Sequence, residues 1–219
     1  MMKTIDNTFI EEDFADQDLE SVIFTRCYFY RCDFNHAQLS DAEFIDCQFI
    51  ERGDITGCRF DYADLKGASF KNCDLSMTKF TGAECFGIEF RSCNLKGVDF
   101  SRASFANYIT AKTFFCSAYI TQCNLSYANL ADQRIEKCDL YENRWTGCNL
   151  LGASLQGSDL SRGEFSADMW SQFNLQLCNL SHVDLTGLDA RRVNLHGVTI
   201  CSWQQEQLLA PLGLIIHGD

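Results

Sequence analysis

Thirteen cysteines, four histidines and thirty carboxylates are the side chains through which this chain could bind a metal, form disulfides or carry out acid–base and nucleophilic chemistry. Their spacing fits none of these. His36, His182, His196 and His217 are scattered, and none stands at ligand spacing from acidic or cysteine partners. There is no C-x-x-C, and neither G-x-S-x-G, H-E-x-x-H nor a phosphate-binding glycine loop occurs. The sequence therefore predicts no catalytic residues, no cofactor and no metal, and a binding protein instead of an enzyme. Ten of the cysteines share one phase of a short repeat: Cys27, Cys32, Cys47, Cys58, Cys73, Cys93, Cys123, Cys138, Cys148 and Cys178. Ala37, Ala42, Ala63, Ala68, Ala83 and Ala128 hold the same phase, so cysteine acts there as a slightly larger alanine.

The repeat that positions them has a period of five. A large apolar residue, here called the centre, recurs at Phe9, Phe14, Leu19, Phe24, Phe29, Phe34, Leu39, Phe44 and Phe49. It resumes one residue out of step at Ile55, Phe60, Leu65 and Phe70 and runs to Ile200. In these two registers only Cys85, Thr110 and Ala190 are not large and apolar. Five matches neither the helical period nor the strand period. Each unit, approximately A/C-D/N-L/F-x-x, must turn a corner, with the small residue and the centre both inward. Four sides then close a square coil, and coils stacked at roughly 4.8 Å give a rod on the order of 45 Å. The fold class is all-β, a solenoid with Asp and Asn at the corners and glycines such as Gly67, Gly97, Gly147 and Gly157 at tight bends. The centres are mostly Phe as far as Phe115 and mostly aliphatic afterwards.

The formal charge is −12. Half of the acidic residues fall just before a centre and face outward. Their stacking predicts Asp54 over Asp74, Asp64 over Glu84, Asp139 over Asp159 and Glu164 over Asp184, an arrangement that no solenoid core requires. Like charges one strand spacing apart repel. They either keep an exposed β surface soluble or give the rod the size and sign of duplex DNA. The acidic amino terminus does not read as a secretory signal, and no apolar run is long enough to span a membrane. A soluble, cytoplasmic protein is expected.

Recognition is expected where the repeat fails, because loops on a rigid scaffold carry it. A smaller break covers Ile50, Glu51, Arg52, Gly53, Asp54 and Ile55, where one additional residue shifts the register. A longer one covers Ala106, Asn107, Tyr108, Ile109, Thr110, Ala111, Lys112, Thr113, Phe114, Phe115, Cys116 and Ser117. Tyr108 and Thr113 stand there at small positions and Thr110 at a centre. So apolar an excursion reads as a projection that contacts something. The repeat domain is expected over 1–200 and a capping tail over 201–219. Ser202 to Gln205 can form a capping box opening a short helix closed by Pro211 and Gly213. Trp203, Leu208, Leu209, Leu212, Leu214, Ile215 and Ile216 exceed what a cap needs and predict a two-fold dimer through the carboxyl ends.

The repeat resembles the pentapeptide-repeat proteins, and its irregular parts resemble the Qnr quinolone-resistance family. The stretches that carry this are CDLSM (73–77), TFFCSAYIT (113–121), NLSYANL (124–130), ENRW (142–145), LGAS (151–154), GSDLS (157–161) and GEFS (163–166). The resemblance implies a right-handed quadrilateral β-helix, a homodimer, and protection of DNA gyrase and topoisomerase IV from quinolones without direct nucleic-acid binding. It also implies that 106–117 is the loop important for protection, that 50–55 contributes, and that Cys116 and Cys93 match cysteines implicated in the family. Ala111-Lys112 and Phe114 depart from the family pattern. Two further readings stay open: a general DNA mimic that inhibits a DNA-binding enzyme, and a structural module with an unrelated partner.

Overall fold

A chain that buries two side chains of every five along one direction has to bend after each unit, and the bend recurs at one fixed place. A computed structural model describes residues 3–110 and 112–215; Ala111, Ile216 and His217 lie outside the described residues. The carbonyl of a centre accepts the N–H three residues on, as Phe34 does from Ala37 at 3.1 Å and Phe60 from Ala63 at 3.2 Å. The residue two after the centre is left-handed, with φ of 58° at both His36 and Tyr62. Residues as unlike as Arg26, Met77 and Leu177 adopt this conformation, which costs a non-glycine residue roughly 1–3 kcal/mol. The ladder between coils over-determines it. Glycine is needed where a neighbour lies across the corner. A Cβ on Gly82 would stand 2.5 Å from the ring of Tyr62, and one on Gly147 would stand 2.7 Å from that of Tyr127.

The sides stack in parallel register to form a quadrilateral β-helix. Strands β1 (Lys3–Ile5), β3 (Ile23–Thr25), β5 (Glu43–Ile45), β6 (Ser69–Lys71), β7 (Ile88–Arg91) and β10 (Ala118–Thr121) make one six-stranded sheet. On the adjoining side β2 (Thr8–Ile10) pairs with β4 (Tyr28–Tyr30). Isolated parallel bridges continue all four sides, the last being Asn179 to Thr199.

Inside, phenylalanines stack face to face up the rod. Phe29 and Phe49 are 5.0 Å apart, Phe34 and Phe60 4.7 Å, Phe60 and Phe80 4.9 Å. Each buried ring contributes about 1.5–3 kcal/mol from area alone. Beyond Phe105 the columns turn aliphatic at Ile120, Leu125, Leu130, Ile135 and Leu140, all fully buried. The ten cysteines of the small phase are buried and every cysteine is free. Burial pushes the Cys148 thiol up to about 12 and that of Cys178 up to about 11. Such thiols are packing groups.

Several sequence expectations are corrected. Phe34 stacks on Phe60 and Phe44 on Phe70, each 26 positions later, whereas a regular coil takes 20. The first break is thus an insertion of six residues, not one. Ile55 is no centre; it is 82% exposed. Phe90 pairs with Ile120, 30 positions later, so the second break extrudes ten. Thr110 and Phe115 are no centres either, and Tyr108 and Thr113 point out of the rod. Asp74 lies over Gln48, not Asp54, and no bridge joins Glu164 to Asp184 among the described residues. The pairs Asp64–Glu84 and Asp139–Asp159 do stack.

The outward acidic position also has a structural duty. Asp13, Asp99 and Asp159 each accept, at 2.9 Å, the N–H two residues ahead, closing the corner as an Asx turn. Asn129 and Asn179 then donate across coils to Asp99 at 3.0 Å and Asp159 at 3.1 Å. The expectation that the scaffold does not need these carboxylates fails for this reason.

The carboxyl end closes with a 3-10 turn (Ser202–Gln204), helix α1 (Gln205–Leu209) and a second 3-10 turn (Ala210–Leu212) ended by left-handed Gly213. The cap is one residue earlier than Ser202 to Gln205. Gln204 Oε1 accepts from Cys201 N at 2.6 Å, while its amide donates to Leu180 O at 2.9 Å and Val183 O at 2.7 Å. A fully buried side chain thereby satisfies Val183 O, at the phase a next coil would have bonded, and adds a second bond to Leu180 O, which already accepts Val183 N–H at 3.2 Å.

Candidate functional site

The two insertions leave the rod from opposite corners. The first follows Phe49, in the column that runs from Phe9 and Phe29 on to Leu75, and the second follows Phe105, two sides further round. Elsewhere the four sides repeat as far as Glu164, beyond which turns at 166–172 and 189–193 loosen the ladder.

The longer insertion is a β-hairpin. β8 (Ala106–Thr110) pairs antiparallel with β9 (Thr113–Cys116), matching Ala106 with Cys116, Asn107 with Phe115 and Tyr108 with Phe114. Ser117 N–H donates to Phe105 O at 3.2 Å, closing its base. Thr110 Oγ1 accepts from Lys112 N at 3.2 Å and from Thr113 N at 3.0 Å, tightening the tip. Two aromatic contacts hold the hairpin to the rod. The Arg134 guanidinium lies 4.4 Å from the Phe114 ring centroid, and Phe115 meets Phe86 edge to face at 5.2 Å. Neither Arg134 nor Phe86 was singled out for this role in the sequence, although Phe86 is a large aromatic at an outward phase that elsewhere is mostly polar.

The hairpin is thus anchored without being buried. Tyr108, Ile109 at 67% and Phe115 at 47% remain exposed, and Asn107 and Lys112 are exposed as well. A groove of about 430 Å³ runs beside it, lined by Lys66, Glu84, Phe86, Ser104 and Asn107. Cys116 is half-buried at its foot and directs its thiol at Arg134 O, 3.5 Å away. Burial pushes that thiol up, so it stays protonated near neutral pH. Cys93 is buried inside, its N–H 3.4 Å from Cys123 Sγ.

The smaller insertion has no strand. Asp54 N–H donates to Glu51 O at 3.0 Å, and Gly53 takes φ of 100° between them. Arg31, one coil below, donates to Glu51, to Asp54 at 3.1 Å and to Glu11 at 3.2 Å. Arg52 and Ile55 face solvent. The sequence marked the loop but not its anchor.

At the carboxyl end Trp203, Leu212, Leu214 and Ile215 are exposed, while Leu208 and Leu209 are half-buried. Leu208 closes an apolar cavity of about 180 Å³ with Leu180, Leu185, Leu188, Leu195, Val198 and Ile200. Among the described residues no His, Cys, Asp and Glu cluster could hold a metal ion, and no helix is long and apolar enough to cross a membrane.

Comparison with known proteins places this geometry. The family described as pentapeptide repeat region matches residues 18–100, and that described as pentapeptide repeats (8 copies) matches 169–199. A pentapeptide repeat protein of Vibrio parahaemolyticus is 57% identical over 142 residues, 65% of this chain and 66% of that protein. QnrB4 of Escherichia coli is 53% identical over 97 residues, 44% of this chain and 45% of its own length. The matches therefore span just under two thirds of the first relative and under half of the second. The solved structures align further. Trypsin-treated QnrB1, a plasmid-mediated fluoroquinolone resistance protein, superposes with a TM-score of 0.91 at 42% identity, over 99% of this chain and 100% of that one. Full-length QnrB1 gives 0.91 at 45% identity, over 97% and 100%.

Proposed function

Because this chain belongs to the Qnr group of pentapeptide-repeat proteins, we propose that it confers quinolone resistance by binding DNA gyrase and topoisomerase IV and destabilising the drug-trapped cleaved complex. The observation that carries this reading is the hairpin 106–117. An exposed aromatic hairpin, the longest irregularity of the rod among the described residues, is suited to contact a protein. No bond in the drug is made or broken. Binding energy spent on a partner conformation that disfavours the trapped state is sufficient.

The test is supercoiling by quinolone-inhibited gyrase with purified protein added. Restored activity is expected. A flat response over a wide concentration range sinks the proposal.

A second reading, competition for a DNA groove by an acidic rod, is favoured by the Asp64–Glu84 and Asp139–Asp159 stacks. It predicts inhibition of supercoiling without drug at concentrations that protect with drug. Reversing Asp139 and Asp159 to lysine would relieve it. The Asx turns weaken this reading, since they give much of the acidic pattern a role in the fold.

Dimerisation through the carboxyl ends belongs to the same proposal. Trp203, Leu208, Leu209, Leu212, Leu214 and Ile215 form its candidate surface, and the exposure of Trp203, Leu212, Leu214 and Ile215 supports it. Light scattering coupled to gel filtration is expected to give twice the chain mass, and a Leu212→Asp/Leu214→Asp variant the single mass.

A further inference from the structure

The smaller loop is fixed from outside itself. Arg31 is a left-handed corner residue, φ 55°, and its guanidinium reaches up the rod to Glu51 and Asp54 and down to Glu11. One cation therefore ties three successive coils together. Single exposed ion pairs contribute about 0–1 kcal/mol, yet here one planar donor fork faces three carboxylates, the arrangement for which arginine is suited and lysine is not. Two of the three carboxylates flank Arg52 and Gly53. Glu51 and Asp54 are held at the base of the turn, the Asp54 N–H to Glu51 O bond closes it, and Arg52 and Ile55 face outward. Arg52 makes no ion pair among the described residues, and Ile55 is the most exposed isoleucine of the rod.

We infer that Arg31 is the positioning residue of the smaller loop, and that the loop offers its partner a cation beside an apolar side chain. The surface it fits is one with a carboxylate beside an apolar recess. On a chain of net charge −12 Arg31 engages Glu51 and Asp54, which leaves Arg52 as an outward cation for a carboxylate on the partner. The contact half of the inference rests on the proposed protection of gyrase. The positioning half stands without it.

The clamp is read by trypsin scission after Arg52. Arg31→Gln is expected to raise the scission rate at least about tenfold, since local opening sets such rates. Arg31→Lys should recover only part of the protection, and the circular dichroism of the rod should not change. If Arg31→Gln disturbs the fold, Glu51→Gln/Asp54→Asn releases the same clamp from the loop side. Scission no faster than in the parent chain, in a folded variant, overturns the positioning half.

The contact is read by the concentration giving half-maximal rescue of quinolone-inhibited gyrase. Arg52→Glu/Ile55→Asp should raise it about tenfold with the plateau unchanged, and Arg31→Gln about fivefold, because fewer molecules present the loop correctly. Unchanged rescue by Arg52→Glu/Ile55→Asp overturns the contact half. Absence of rescue by the parent chain overturns it together with the protection reading, while the scission rates still decide the clamp.

Discussion

The hairpin and the smaller loop interrupt the same scaffold in opposite ways. The hairpin supplies its own order: an antiparallel ladder, a threonine-tightened tip and two aromatic contacts to the rod at Arg134 and Phe86. The smaller loop has one main-chain bond across its turn and one across its base, from Cys58 N to Phe49 O at 2.9 Å, and takes its side-chain anchor from Arg31. The first presents a broad aromatic face and the second a single cation with one isoleucine. A long, self-ordered element can carry most of a binding interface, whereas a short, borrowed one adjusts it.

That contrast is open to direct attack. Excising 107–116 removes two whole repeats and rejoins Ala106 to Ser117 in perfect phase. The rod should keep its β spectrum while half-maximal rescue of gyrase rises at least about 100-fold, the scale of a lost hot-spot cluster. A variant that loses its spectrum as well would show the hairpin to be part of the scaffold. Excising 50–55 likewise restores the phase between Phe49 and Thr56, and about a tenfold rise is expected; a larger loss than the hairpin's would invert the ranking. Arg134→Gln removes the cation under Phe114, an interaction of about 0.5–1 kcal/mol at an exposed site. Rescue should weaken about threefold, with faster amide exchange confined to β8 and β9. The smallest effect belongs to Gly53→Ala. Its φ is 100° with nothing within 4 Å of the added Cβ, so only backbone strain of about 1 kcal/mol enters. Melting should shift by no more than about 3 °C, and scission after Arg52 should rise less than in Arg31→Gln.

The sequence exposed the scaffold almost completely, because a corner every five residues writes its chemistry at fixed phases. The two insertions were legible by different signs. Ten residues are two full repeats, so the hairpin shifts no phase and shows only as wrong chemistry at Tyr108, Thr110 and Thr113; Phe115 even passes for a centre. Six residues are one repeat and one more, so the smaller loop shows as a slip of one, and Ile55 imitates a centre while lying in solvent. The contacts that hold the insertions were not legible. Arg31 meets its partners through a corner whose direction depends on left-handed backbone, and Arg134 meets Phe114 across an insertion whose path the repeat does not specify. Gln204 left no sign, since its duty exists only because the next coil does not.

The bonds between coils run along the axis of the rod while the chain itself runs around it. Tension applied to the two ends would therefore load one coil at a time, as a zipper is loaded, never the whole ladder in parallel. Each coil of 20 residues would release about 70 Å of extended chain at low and nearly uniform force, so a rod packed tightly across its width would give way readily to a pull along its length.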